Sequence, residues 1–175
     1  MNRSAHYSRA VAWLFLGMML TAAPAHSQEA SFTPQVEARV LALVNDFRGD
    51  HSLQPLERES RLDQAAGYFA GYMAGAGRLD HRADGATPAA RVKQRGYAYC
   101  EIAENIGMEY DSRGFTAERL ARSLVEGWRE SPTHRAAILD RAATQTGLGV
   151  ARNAQGEYYA AQVFARPRPV GGKCR

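Results

Sequence analysis

Apolar and polar residues are distributed unevenly over the first 27 positions of the chain. Arg3 and Arg9 precede an almost wholly apolar run over positions 10–23, and small residues follow it. This order is typical of a secretory signal peptide, and a run of about 14 residues is shorter than the roughly 20 that span a bilayer. We therefore predict a signal peptide over residues 1–27, cleaved after Ala25 or Ser27. The mature chain is then expected to lack a transmembrane anchor and to be secreted or periplasmic.

Apolar residues recur at helical spacing over the first half of the remaining chain. The spacing predicts a helix over residues 34–48, with Thr33 as its N-cap and Pro34 at its first helical position. A second helix is predicted over residues 60–76, where glycines end the pattern. Shorter helices are predicted in three more places: after Thr87 as far as Gly96, from Thr116 through Trp128, and after Ser131 as far as Leu139.

Strand signals are concentrated in the last third of the chain. Residues 146–152 and 157–165 flank a short turn with a glycine, which is typical of a hairpin. Residues 100–106 form a further candidate strand. The order of helices, a strand, more helix and a hairpin predicts an α+β domain in which helices cover a sheet.

The charge balance gives little reason to expect a nucleic-acid partner. The chain holds 22 Lys and Arg against 18 Asp and Glu, a net charge of +4. Arg3 and Arg9 leave with the signal peptide, so the mature protein falls to about +2, far from the strongly basic balance of nucleic-acid binders. We expect the basic residues of the C-terminal tail to be solvated surface: Arg166, Arg168, Lys173 and Arg175.

Cys100 and Cys174 are the two cysteines of the sequence. An exported protein meets oxidising conditions, which favour a bridged pair over free thiols. We predict a Cys100–Cys174 disulfide that ties a tail over residues 167–175 to the domain. The wide spacing does not suggest zinc or redox chemistry at these cysteines.

Three polar segments stand out by their residue types and their order. They are Leu79-Asp80-His81, Ala103-Glu104-Asn105-Ile106, and residues 128–139 with the sequence WRESPTHRAAIL, followed by GLGVA at 147–151 and QVF at 162–164. Taken together, the chain resembles the CAP superfamily, also called the SCP domain, and in particular its bacterial branch. That superfamily includes cysteine-rich secretory proteins, antigen 5 allergens and plant pathogenesis-related 1 proteins. The resemblance covers about residues 36–165, and we place the domain at residues 34–166.

The resemblance implies a three-layer α-β-α sandwich with a central antiparallel sheet. It also implies a cleft lined by two histidines and two acidic residues. By motif position His81, Glu104 and His134 match three of these, whereas the fourth, an acid, would fall at Ser131. Asn105 and Ser131 are therefore expected to line the cleft beside an incomplete set.

The residue types leave several interpretations of this cleft open. His81, His134 and Glu104 could bind a divalent cation such as zinc with a position left for water, or they could form a structural hydrogen-bond network. Ser131 precedes Pro132, where a serine usually caps a helix. Its combination with His134 and Glu104 also contains the residue types of a hydrolytic triad, although there is no nucleophile-elbow motif.

We interpret the protein as an exported binding or interaction module rather than an enzyme. Its cleft would take a divalent cation or an apolar ligand, such as a lipid, a sterol-like molecule or a cell-envelope component. The alternative is a metal-assisted hydrolase of a cell-envelope or protein substrate, with Glu104 as general base.

Overall fold

The computed structural model describes residues 25–174, so the predicted signal peptide up to residue 24 lies outside the described residues. Five helices and four strands follow in the described part: α1 Ala25–Asp50, β1 Glu57–Arg58, α2 Ser60–Ala76, α3 Pro88–Gln94, β2 Tyr99–Glu109, α4 Ala117–Glu130, α5 Pro132–Ile138, β3 Gln145–Arg152 and β4 Tyr158–Pro167. No helix in residues 25–174 has the length and apolar character needed to cross a membrane.

Local sequence signals set most of the helix ends. The hydroxyls of Thr87 and Thr116 accept hydrogen bonds from the backbone N–H groups of Ala90 and Arg119, and so cap α3 and α4 where these helices are predicted to start. Helix α2 ends at Gly77, whose φ of 59° lies in the left-handed region that glycine adopts without strain.

Helix α1 differs from its predicted bounds, because it begins at Ala25 rather than at residue 34. Thr33 and Pro34 therefore lie inside the helix and do not begin it. Pro34 removes one backbone donor, but residues 25–33 contain no Gly or Pro that would stop a helix before it. Pro34 therefore does not mark the start of α1, because the residues before it are compatible with a helix.

The four strands form one sheet in the order β1-β3-β4-β2. β4 pairs antiparallel with both β2 and β3, which confirms the predicted hairpin and the antiparallel centre of the sheet. The two-residue β1 pairs parallel with β3 and was not predicted, since two residues carry no alternation. β2 is longer than residues 100–106 and lies at an edge of the sheet.

Helices cover both faces of this sheet, so the predicted three-layer α-β-α arrangement is confirmed. Successive residues of a strand point to opposite faces. On β4, Phe164 packs with α1 and α4, whereas Val163 packs with α2. The side chains between the layers form two separate apolar cores, one on each face of the sheet.

Two glycines of β3 allow α2 to lie directly on the sheet. A Cβ on Gly147 would fall 2.1 Å from the carbonyl carbon of Leu62, and one on Gly149 would fall 2.3 Å from the backbone nitrogen of Gly67. No side chain fits in these positions. The backbones of α2 and β3 are therefore in contact at this point.

The disulfide between Cys100 and Cys174 is formed, with an S–S distance of 2.09 Å, as predicted. It ties the C-terminal tail to the start of β2. The backbone N–H of Arg168 also donates to the carbonyl of Ala98 at 3.0 Å, so the tail is held at two points.

Candidate functional site

The predicted cleft residues His81 and His134 each contact the edge strand β2, through Glu104 and Asn105 respectively. Glu104 and Asn105 are consecutive on this strand and therefore point to opposite faces of the sheet. Glu104 lies on the face covered by α2 and α3, and Asn105 lies on the face covered by α5. His81 and His134 therefore belong to opposite faces of the sheet, and their side chains can approach each other only around the edge of β2.

On the first face, Glu104 joins His81 to a buried arginine. The Nδ1 atom of His81 lies 2.9 Å from Oε1 of Glu104, and Arg91 Nη2 donates to both carboxylate oxygens, at 3.0 and 2.9 Å. The carboxylate is 1% exposed, whereas the His81 side chain is 45% exposed. The buried carboxylate of Glu104 therefore orients the His81 ring, whose other nitrogen faces solvent.

Arg91 is the residue of this network that the sequence did not reveal. Its side chain is 2% exposed, its guanidinium carbon lies 3.4 Å from the ring centroid of Phe69, and it also pairs with Asp84 at 2.9 Å. It donates further to the carbonyl of His81 at 3.1 Å. In the sequence, a lone arginine in a seven-residue helix is typical of a solvated charge.

On the second face, His134 is carried by the short helix α5. The side-chain amide of Asn105 donates to the carbonyl of His134 at 3.0 Å and so ties α5 to the edge strand. Burial, and then the positive charge of a protonated His81, lower the pKa of His134 below its ordinary value of 6.5. His134 is therefore neutral at neutral pH and can accept a hydrogen bond.

Asn105 is also part of a buried polar spot between the sheet and α5. Its Oδ1 atom and the Oε1 atom of Gln162 are buried with no hydrogen-bond partner in the described part of the chain. The two residues are opposite each other on β2 and β4. This pair of acceptors adjoins the backbone that positions His134.

A pocket of about 150 Å³ opens beside His134. Its walls include Met108, Leu124 and Trp128, and the indole N–H of Trp128 donates to the carbonyl of Ile106 at 2.9 Å. Gly107 lets the Leu124 and Trp128 side chains pack close to β2, because a Cβ there would lie 3.0 Å from Leu124 and 3.3 Å from the indole nitrogen. The neutral imidazole thus borders a small pocket with mostly apolar walls, in which Glu109 is the acidic residue.

Ser131 occupies the N-cap position of α5, but its hydroxyl makes no capping hydrogen bond, contrary to prediction. The helix start is held by the backbone instead, since the N–H of Arg135 donates to the carbonyl of Ser131 at 2.8 Å. Among residues 25–174, no hydrogen bond joins Ser131 to His134. The arrangement of a serine nucleophile on its base is therefore not present in this part of the chain.

One interpretation left open by the sequence is a three-ligand zinc set at His81, Glu104 and His134. Within the described residues, no group of three or more His, Cys, Asp or Glu side chains is arranged to hold a metal ion. The physical reason is Arg91, which contacts both oxygens of Glu104. The carboxylate of Glu104 is buried against Arg91 and contacts His81, so it does not face the cleft.

Comparison with solved structures finds similar folds at low identity. An outer surface protein from Borrelia burgdorferi is 16% identical with a TM-score of 0.67, and 77% of this chain matches 94% of that one. An extracellular protein containing a SCP domain from Bacillus anthracis is 20% identical with a TM-score of 0.64. There, 83% of this chain matches only 45% of the other, so this chain spans less than half of that protein.

A structure of NaASP2 with Zn²⁺ is 13% identical with a TM-score of 0.53, and 77% of this chain matches 81% of that one. A search of curated proteins found no significant match. The family model described as "Cysteine-rich secretory protein family" matches residues 41–164, well over half of the sequence. With the fold and these residues agreeing, the chain belongs to the CAP, or cysteine-rich secretory protein, family.

Proposed function

We propose that this chain is an exported binding module. Its cleft takes the apolar group of a ligand into the pocket beside Trp128 and holds the ligand's polar end between His81 and His134. The observation that carries this proposal is the position of a neutral His134 beside a mostly apolar pocket at the edge strand β2. Export rests on the N-terminal pattern and on relatives whose names include an outer surface and an extracellular protein.

The contacts of Glu104 and Ser131 favour binding over hydrolysis. A general base must reach the proton that it removes, but both oxygens of Glu104 contact Arg91 and one also contacts His81. In the described chain, the hydroxyl of Ser131 is not aligned on an imidazole. If His134→Ala abolished a turnover measured on cell-envelope or protein substrates while the fold persisted, the hydrolase alternative would replace ours.

Blocking the pocket tests the proposal directly. Gly127 lines the pocket on α4, and a Cβ there meets nothing within 4 Å, so Gly127→Leu fills the mouth without backbone strain. Gly71 is a matched control, because it is an exposed helical glycine with the same free space on α2.

The fluorescent fatty acid cis-parinaric acid is a suitable apolar probe. We expect it to bind the full exported protein, with affinity about tenfold weaker in Gly127→Leu, as a loss of about 1.4 kcal/mol would give. Gly71→Leu should bind as the parent protein does. Equal affinity in all three proteins, or no binding by the parent, would contradict a ligand in this pocket.

A divalent cation is a second candidate ligand, favoured by the contact between His81 and Glu104. A histidine that ligates a metal usually donates its other ring N–H to a carboxylate, and Glu104 is placed for that role. His81 and His134 would then hold the cation together with water. Titration of chelator-treated protein with Zn²⁺ by calorimetry tests this, and loss of heat in both His81→Gln and His134→Gln is the expected result.

A further inference from the structure

Two basic segments that are distant in the sequence meet at the start of β2. The first is residues 93–95 at the end of α3, and the second is the tail over residues 166–173. Arg168 donates its backbone N–H to Ala98, and the Cys100–Cys174 disulfide holds the far end of the tail. The fold therefore gathers charges that the sequence presents as unrelated.

A groove runs along both sides of this disulfide. One cavity of about 550 Å³ is lined by Lys93, Tyr99 and Arg168, and a second of about 490 Å³ is lined by Arg166 and Lys173. Cys100 borders both cavities. The two cavities therefore adjoin each other at Cys100. We name the two cavities together the tail groove.

Three of the four cations that line the tail groove have no carboxylate partner among the described residues. Lys93, Arg168 and Lys173 are exposed, and none contacts a carboxylate of the described chain. Arg166 is different, since it pairs with Glu101. Elsewhere, arginines are commonly paired; examples with a carboxylate partner are Arg58, Arg61, Arg91, Arg119 and Arg122.

The net charge of the described residues is small compared with the charge of these three cations. Leaving out Arg3, Arg9 and Arg175, the described residues keep 19 of the 22 basic residues and all 18 acidic ones, a net of +1. The three unpaired cations of the tail groove alone exceed that net charge. The other described residues therefore carry a small net negative charge, and the three cations give this end of the molecule a local positive potential.

We propose that the tail groove binds an extended polyanion that carries repeated phosphate groups. Unpaired cations spaced along a concave channel suit a chain, which can place successive phosphates beside Lys93, Arg168 and Lys173. An extended chain can follow a recess more closely than a flat bilayer surface can. This site lies apart from the cleft of His81 and His134, and it would give a binding role to tail charges that are otherwise expected to be solvated surface.

Labelled inorganic polyphosphate is the probe for this site. We expect the full exported protein to bind it with an affinity that falls as salt rises, because bound phosphates release counterions. The triple variant Lys93→Gln, Arg168→Gln, Lys173→Gln keeps the disulfide and should bind at least about tenfold more weakly at moderate salt. The slope of log K against log salt should fall by about one for each removed contact.

A matched control removes three exposed charges elsewhere. Arg39→Gln, Arg113→Gln and Arg141→Gln together change the net charge equally, and these side chains lie outside the groove. This variant should keep most of the affinity. An equal loss in both triple variants would overturn the proposal in favour of non-specific charge.

The disulfide provides an independent arm. Cys100→Ser with Cys174→Ser releases the tail, and we expect weaker polyphosphate binding while circular dichroism shows an intact fold. Unchanged affinity would overturn the groove as the site. Binding to phosphatidylglycerol vesicles with no binding of polyphosphate would also overturn the proposal, and would assign the patch to a membrane surface.

Discussion

The guanidinium of Arg91 contacts both carboxylate oxygens of Glu104, and neither side chain is more than 2% exposed. Burial of one charge without the other would be costly, but each supplies the countercharge of its partner. Asp84 and the ring of Phe69 complete the surroundings of Arg91. The buried guanidinium of Arg91 therefore fixes the carboxylate of Glu104, which in turn contacts His81.

Glu104→Gln should destabilise the fold strongly. The substitution leaves Arg91 buried with only Asp84 as a countercharge, and breaking a buried pair typically costs about 3–5 kcal/mol. Glu118→Gln is the control, since Glu118 is 46% exposed and pairs with Arg39 and Arg122, a contact worth about 1 kcal/mol or less. Urea unfolding followed by circular dichroism measures both. Similar small losses would mean that the buried pair contributes nothing beyond a surface pair.

Much of the fold was accessible from the sequence, because its signals are local. Helix α4 illustrates this, since the Thr116 cap and the inward stripe of Leu120, Leu124 and Trp128 are all present in the structure. The hairpin of β3 and β4 was equally visible. The start of helix α1 was not visible, because Pro34 gave a misleading signal for it. Strand β1 was not visible either, because a two-residue parallel strand gives no local signal.

Gly149→Ala should be far more damaging than Gly71→Ala. A Cβ on Gly149 would lie 2.3 Å from the backbone of Gly67, so α2 would have to move off the sheet, and overpacking typically costs about 1–3 kcal/mol or more. Gly71 has open space, and alanine there should stabilise α2 by up to about 1 kcal/mol. Thermal unfolding distinguishes the two. A neutral Gly149→Ala would show that α2 is not in backbone contact with β3.

The candidate cleft was only partly predictable. The motifs identified His81, Glu104 and His134, but which atoms meet depends on the face to which each residue of β2 points. Glu104 and Asn105 are adjacent in sequence and lie on opposite faces. Arg91 enters from a different helix, and nothing in its neighbourhood marks it as buried. Whether Glu104 could ligate a metal or only orients His81 therefore depends on the tertiary structure and cannot be predicted from the motif.

Protonation of His134 should weaken the fold at mildly acidic pH. Its pKa is lowered in the folded state from 6.5, so the unfolded chain binds the proton more tightly. The stability contribution is complete above about pH 6.5 and is lost as the pH falls through the lower folded-state pKa. His134→Gln should remove this part of the pH dependence of the unfolding free energy.

Proton NMR titration measures the same pKa directly. We expect His81→Gln to raise the pKa of His134 part of the way toward 6.5, because the charge of His81 is removed while the effect of burial remains. A pKa of His134 at or above its ordinary value in the parent protein would contradict the neutral imidazole on which the proposed cleft depends.

Removal of the disulfide should lower stability without abolishing the fold. Cys100 and Cys174 are 74 residues apart in sequence, and a loop of that size restricts the unfolded chain by an amount equivalent to about 4 kcal/mol. Because the residues of both apolar cores end at Ala165, before the tail begins, Cys100→Ser with Cys174→Ser should unfold cooperatively at a lower temperature. Hydrogen exchange should become faster first at residues 98–100, where the tail covers the start of β2. Faster exchange throughout α2 and β3 instead would mean that the tail supports the core itself.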